Sequence, residues 1–348
     1  MEIEIDGRKI GNGHPCYIIA EVGSNFDKSL EKAKQMVDLA KECGADAVKF
    51  QSFKAEKIVS KEGFESLKVG FQSAWKKPVF DVYKDAELPT DWNKELMNYA
   101  KEKGITYFST PYDMENLEYL YNLGVPAFKI GSGDITWLDM VRSIAMKGRP
   151  VIIACGASTI MEVEEAIETI KKTGNDKIVL LQCVTNYPAS FKNSNIKAMK
   201  EMGEKFNVLY GFSDHTPGSV VPLGAIALGG CIIEKHFTYD KKAMGPDHPF
   251  AMDPSEFTEM VKSIRQLESA LGNKKKIYDE EKDTVIIQRR CLRASKTLEK
   301  GHILQENDIS VLRPAPLDSV YPKHKDVIIG KNLKREVSAG DYFRKDDF

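Results

Sequence analysis

Eight short runs of β-branched and apolar residues constrain this chain more than any other feature. They span residues 17–21, 47–51, 105–110, 127–132, 151–156, 178–183, 208–214 and 232–236, and polar residues and a helical pattern usually follow each run. Near-continuous apolar strands separated by helices indicate a parallel sheet covered on both faces. The intervening segments have helical spacing: Leu30, Ala33, Met36, Val37 and Ala40 recur at three and four, as do Ile160, Val163, Ala166, Ile167 and Ile170. Ser29 and Thr90-Asp91 mark helix starts, and Gly104 and Gly174 mark stops. Eight β/α units over about 250 residues predict a (β/α)8 TIM barrel, with an open doubly wound sheet as the alternative. A small hairpin over 3–10 precedes the first barrel strand.

A last barrel helix is expected around 255–271, where Met260, Val261, Ile264, Leu267 and Leu271 share a face. The barrel domain is thus read as 1–271. The charged stretch 272–291 reads as a linker. Residues 292–348 read as a small β-rich domain, in which Pro314, Pro316 and Pro322 exclude long helices. A domain of about 60 residues is marginally stable alone, so it should pack on the barrel or on a neighbouring chain.

Composition narrows the function. Lys plus Arg number 50 and Asp plus Glu 51, a balance that argues against a nucleic-acid partner while leaving room for a local basic pocket. No run approaches the ~20 apolar residues of a membrane span, and the acidic start Met1-Glu2-Ile3-Glu4 is unlike a secretory signal. The six cysteines form no C-x-x-C pair; they read as reduced, buried thiols of a cytoplasmic protein.

Barrel chemistry sits at the C-terminal strand ends, and polar residues gather there. They are Glu21; Lys49 and Gln51; Thr110; Lys129 and Ser132, with Asp134 just after; Ser213 and His215; and His236, preceded by Glu234 and Lys235. His215 and His236, on adjacent strand ends, are placed to share a divalent metal, with water or substrate completing the shell; two satisfied structural histidines are the alternative. Asp247 would assist the metal or hold a substrate hydroxyl. A lysine within an apolar strand is costly unless it meets an anion, so Lys49 and Lys129, with nearby hydroxyls, suggest a phosphate and carboxylate pocket; a Schiff-base lysine is the rival reading. The insertion 52–88 carries Phe64, Phe71, Trp75, Phe80 and Tyr83 and follows strand two, so it should overhang the mouth as a lid or specificity loop. His14, His302 and His324 read as structural or solvated.

The ordered motifs Ile19-Ala20-Glu21-Val22-Gly23-Ser24-Asn25, Val48-Lys49-Phe50-Gln51, Ser109-Thr110-Pro111-Tyr112, Lys129-Ile130-Gly131-Ser132-Gly133-Asp134, Gly211-Phe212-Ser213-Asp214-His215-Thr216, Glu234-Lys235-His236-Phe237-Thr238 and Gly245-Pro246-Asp247-His248 run through the barrel. With them the chain resembles the sialic acid synthase family, and the tail, with Lys300-Gly301-His302-Ile303-Leu304 and Leu312-Arg313-Pro314, is similar to that family's antifreeze-like (SAF) domain. The resemblance implies condensation of phosphoenolpyruvate with an N-acyl hexosamine, N-acetylmannosamine first. A nine-carbon 2-keto-3-deoxy sugar acid and phosphate would be the products. It implies Mn²⁺ on His215 and His236, with Mg²⁺ or Co²⁺ as alternatives. Lys49, Thr110, Lys129, Ser132 and Ser213 would hold phosphoenolpyruvate, and Gln51, Tyr187 and Asp247 the sugar. Glu21 and Asp134 would be catalytic. Arg313 would reach in from the partner of a domain-swapped homodimer. Ala154 departs from the family pattern, standing where a hydroxyl residue is common. Other acceptors with the same chemistry are a diacetamido-trideoxyhexose, a mannosamine 6-phosphate and a spore-coat sugar. A metal-dependent barrel hydrolase would commonly carry an H-x-H pair on its first strand, which here ends in Ala20-Glu21. A non-catalytic sugar-binding scaffold would not need the charged strand ends.

Overall fold

The computed structural model describes residues 1–67, 72 and 75–348, so Phe71 of the insertion lies outside the described residues. The chain forms two compact units, Met1–Leu271 and Gly272–Phe348. The first opens with an antiparallel hairpin, β1 (Glu2–Ile5) and β2 (Arg8–Gly11). Its Asp6-Gly7 turn has positive φ at both residues, the backbone that matches strand twist in a two-residue loop. Ile3, Ile5 and Ile10 are buried in one cluster with Tyr17, Ile19 and Phe108, so the hairpin closes the floor beneath the strands.

The eight apolar runs become eight parallel strands: β3 (Tyr17–Gly23), β4 (Ala47–Ser52), β5 (Thr106–Pro111), β6 (Phe128–Ile130), β7 (Val151–Ala154), β8 (Ile178–Cys183), β9 (Leu209–Asp214) and β10 (Ile232–His236). Ladders link them in the order β5-β4-β3-β10-β9-β8-β7-β6, and β5 and β6 neighbour one another to complete a nearly closed barrel. β6 is shorter than its apolar run, because the chain turns after Ile130 into a single 3₁₀ turn, Ser132–Asp134.

Strand alternation divides the core. Ile18, Ala20, Val48, Phe50, Phe212 and Ile233 face outward and pack against helical residues such as Met36, Val37, Leu96 and Phe257. Helix Leu30–Glu42 starts at Ser29, whose hydroxyl accepts from Lys32 N at 3.3 Å, and buries Ala33, Met36, Val37 and Ala40. Each large side chain on that face contributes about 2 kcal/mol of burial. The last barrel helix, Pro254–Ala270, is fixed by a capping box between Asp253 and Glu256.

In the second unit β11 (Cys291–Ala294) pairs antiparallel with β12 (Ile309–Leu312), over a core that includes Leu292, Leu298, Leu304, Val337 and Phe343. The segment expected as a linker carries a helix, Lys282–Gln288, and Ala315 N donates to Ile286 O at 2.9 Å, tying that helix to the small unit. All six cysteines are free and buried. Among the described residues no helix is long and apolar enough to cross a membrane.

One ion cluster joins the barrel's first and last elements. Asp46, at the start of β4, pairs with Arg8 of the hairpin and with Arg265 of the last helix at 3.1 Å, and it accepts from Ile18 N at 2.8 Å. Arg265 also pairs with Glu268, which accepts from Cys16 N at 2.5 Å. Burial, with the Arg265 charge beside it, holds the Arg8 guanidinium below its ordinary value. Asp46 is the shared counter-charge, so Asp46→Ala leaves two arginines facing each other. Both arginines are partly exposed and Arg265 keeps Glu268, so we expect a loss of about 1–3 kcal/mol, read as a lower urea midpoint by circular dichroism; an unchanged midpoint would remove the cluster from the stability argument.

Candidate active site

The inward positions of neighbouring strands carry charge at one level. Lys49 Nζ lies 2.5 Å from Glu21 Oε2 and 3.7 Å from Glu234 Oε2, and it donates to Thr110 Oγ1 at 3.1 Å. Lys129 Nζ meets Glu234 Oε1 at 3.1 Å, and Ser213 Oγ donates to the same oxygen at 2.9 Å. Gln51 Nε2 donates to Glu21 Oε1 at 2.6 Å. The strand ladders set this constellation: Glu21 pairs in register with Lys49, His236 with Glu21, and Glu234 with Ser213. Lys49, Lys129, Glu21 and Glu234 are all buried. Isolated, each charge would be prohibitive; together two cations meet two anions. Burial pushes the Glu21 carboxyl above the ordinary carboxylate range against the pull of Lys49, whereas the two lysines hold Glu234 below it despite its burial. The lysines thus hold Glu234 firmly ionised, while at Glu21 burial works against the ion pair with Lys49.

Above the quartet stand the histidines. His236 ends β10 and His215 follows β9, with ring centroids 5.4 Å apart. His215 Nδ1 lies 2.8 Å from Val184 O and can only donate to that carbonyl, which leaves Nε2 as a lone-pair donor. His236 Nδ1 is buried with no hydrogen-bond partner. Burial, with His215 next to it, pushes the His236 imidazole well below its ordinary value, so the ring is neutral. His215 is the opposite case: against its burial, Cys183 and the Val184 carbonyl push its imidazole above the ordinary value, so a divalent cation shared by the pair would have to displace that proton to find two neutral rings. Among the described residues no group of three or more His, Cys, Asp or Glu side chains is placed to hold an ion, so a cation on the two histidines would need water or substrate as its other ligands.

The Tyr187 ring packs 4.2 Å from His215 and 5.0 Å from Phe250, between centroids. Burial raises its phenol well above the ordinary value, so the hydroxyl stays protonated. Tyr187, Gln51, His236 and Asp247 line one cavity. The insertion forms the wall of that cavity through Ile58, Trp75, Val82, Tyr83 and Ala86, on and beside helices Ala55–Ile58 and Val79–Ala86, which is the overhang expected of it. Asp247 accepts from both Ser24 N and Ser24 Oγ at 3.1 Å. Its carboxyl is pushed up by burial against those two hydrogen bonds. Gly23, at φ +55°, lies beneath: a Cβ there would come within 2.5 Å of Asp247 Oδ2.

Other expected residues sit further out. Ser132 Oγ accepts from Gly156 N at 2.9 Å, joining the ends of β6 and β7. Asp134 is half-buried, and burial raises its carboxyl to about 6 while the Lys129 charge pulls the other way. Arg313 belongs to the second unit, where it is exposed just past β12 and its Nε donates to Gln288 O at 2.6 Å. The residue that sequence reasoning left without a role is Glu234, which bridges both lysines. Its signal was the two-residue spacing to His236, which puts both side chains on one strand face.

Residues 36–276 match the NeuB family and residues 289–348 match the SAF domain. The chain is 39% identical over 335 residues to the N,N'-diacetyllegionaminic acid synthase of Legionella pneumophila, covering 95% of this chain and 94% of that one. It is 34% identical over 332 residues to the pseudaminic acid synthase of Campylobacter jejuni strain 81-176, covering 95% and 96%. The crystal structure of an N-acetylneuraminic acid (sialic acid) synthetase from Leptospira borgpetersenii superimposes with a TM-score of 0.73 at 32% identity, covering 82% of this chain and 95% of that one. The chain belongs to the NeuB family, the sialic acid synthase family, with a SAF domain following its barrel.

Proposed function

We propose that this protein condenses phosphoenolpyruvate with an open-chain N-acyl hexosamine, releasing phosphate and forming a nine-carbon 2-keto-3-deoxy sugar acid. The buried quartet of Lys49, Lys129, Glu21 and Glu234 beneath a histidine pair carries this reading. Its charges cancel, so a substrate with ionised phosphate and carboxylate needs further positive charge at the mouth. Lys49 and Lys129, with Thr110, Ser132 and Ser213, would hold that substrate. A divalent cation, Mn²⁺ with Mg²⁺ or Co²⁺ as alternatives, would be held by His215 and His236 and would act as a Lewis acid on the acceptor aldehyde. The methylene carbon of phosphoenolpyruvate forms a bond to the aldehyde carbon, whose oxygen takes up a proton and becomes a hydroxyl. The enol carbon, left electron-poor, takes water, and collapse of that tetrahedral centre expels phosphate and leaves a ketone. Asp134 and Glu21 would face this developing positive charge and would stabilise it or take the proton of the incoming water.

Gln51, Tyr187 and Asp247 would hold the acceptor. N-acetylmannosamine is the simplest acceptor. The apolar wall of Phe53, Ile58, Val82 and Ala86 favours a second reading, a diacetamido-trideoxyhexose with a methyl where mannosamine has a hydroxymethyl, in keeping with the legionaminic acid relative. The exposed Arg313 supports the further proposal that it reaches the acceptor in the barrel of a partner subunit, within a domain-swapped homodimer. The six free, buried cysteines fit a cytoplasmic setting.

Incubation with phosphoenolpyruvate, Mn²⁺ and a panel of N-acyl hexosamines should release phosphate only when an acceptor is present. A chelator should abolish that release, and added Mn²⁺ should restore it. No release with any acceptor would overturn the reaction, and release indifferent to chelator would overturn the metal. Asp134 is ionised above its raised value of about 6 and protonated below it. If the carboxylate form acts, kcat falls as the pH drops through 6. Asp134→Asn should lower kcat by roughly 10²-fold or more while the phosphoenolpyruvate KM changes little, and it should lose the acidic limb. An unchanged kcat would take Asp134 out of the chemistry.

A further inference from the structure

We propose that His248 and Asp27 form a latch that positions Asp247 over the acceptor, making them positioning residues for acceptor recognition; the inference rests on the reaction proposed above. His248 and Asp247 are adjacent, and their side chains go to different places. Asp247 lines the cavity. His248 is completely buried, with Nε2 2.9 Å from Asp27 Oδ1 and Nδ1 2.6 Å from Thr238 Oγ1. A carboxylate only accepts, so Nε2 donates to Asp27. The other oxygen of Asp27 receives Lys32 Nζ and Tyr239 OH.

The latch joins two loops that each leave a barrel strand. Asp27 lies on the loop after β3; Gly23, which ends the strand, and Asp27 and Lys28 on the loop all have positive φ. His248 lies on the loop after β10, which also exposes Met244 almost completely. Two more bonds tie the same loops: Asn25 Nδ2 donates to Phe237 O at 3.0 Å, and Ser24 donates twice to Asp247. The space left for Asp247 is narrow. Its Oδ2 lies so close to Gly23 that even a methyl group there would collide with it. A small shift of either loop therefore moves the carboxylate relative to both the Ser24 donors and the neighbouring His236. The buried imidazole sets that spacing. The lysines and hydroxyls of the phosphoenolpyruvate pocket belong to other strand ends and do not touch the latch.

That separation gives a signature which loss of fold would not produce. Substituting a group that orients a binding residue typically costs about 10–100-fold, and loss of ground-state binding appears in KM. His248→Ala and Asp27→Ala should each raise the acceptor KM about tenfold or more, with the phosphoenolpyruvate KM within about twofold of the parent. Because the two act as one unit, the double variant should be no worse than the poorer single. His248→Gln, whose amide can reach Asp27, should recover part of the acceptor affinity. Asp27→Asn, which retains the shape of the side chain, serves where an alanine variant fails to fold, and it should show the same KM split. Equal changes in both KM values, an unchanged acceptor KM, or additive losses in the double variant would overturn the latch. Failure of the parent enzyme to release phosphate with any acceptor would instead overturn the reaction itself.

Discussion

Two ammonium groups buried inside a ring of strands set the condition that the rest of the site must meet. Lys49 and Lys129 cannot stand there alone, because desolvation costs each several kcal/mol. Glu234 lies between them and Glu21 completes the balance. This arrangement needs β3, β4, β6 and β10 in one register, since a slip of one residue would turn each charge outward into the helical layer. The floor cluster around Asp46 serves that register by joining the hairpin, β4 and the last helix.

β10 shows how closely both faces are used. Glu234 and His236 point inward, and Lys235, between them, points outward. There it meets Asp214 at 2.6 Å and the carbonyls of Thr216 and Gly218. The segment that carries His215 is thus held from behind by the same strand that supplies His236 in front. The two imidazoles share one rigid support, which the proposed two-histidine ligand set would need.

The barrel was readable from sequence because parallel strands are covered on both sides and so stand out as apolar runs. Lys49 and Lys129 were readable because a lysine inside such a run is conspicuous. Glu234 was harder. Beside Lys235 it resembles an ordinary polar strand end, and its two lysine partners, Lys49 and Lys129, lie more than a hundred residues away in sequence. His248 was masked for a similar reason: its neighbour Asp247 drew the attention, and Asp27 becomes its partner only when the first and last strands meet. Helix Lys282–Gln288 gives little sign of itself in sequence, because the charges around it hide the short run Val285-Ile286-Ile287. Arg313 had no local signal at all, and only the resemblance gave it a role.

The walling of the cavity by helices Ala55–Ile58 and Val79–Ala86 has an evolutionary consequence. The buried lysines and carboxylates of the barrel are fastened to hydrogen-bonded ladders, where an insertion or deletion would throw the whole ring out of step. The wall hangs on an insertion between two strands, outside every ladder, so it can change length and composition freely. Descendants of such a chain can therefore reshape this wall of the cavity by rewriting one excursion of the backbone, while the barrel's ladders are inherited intact.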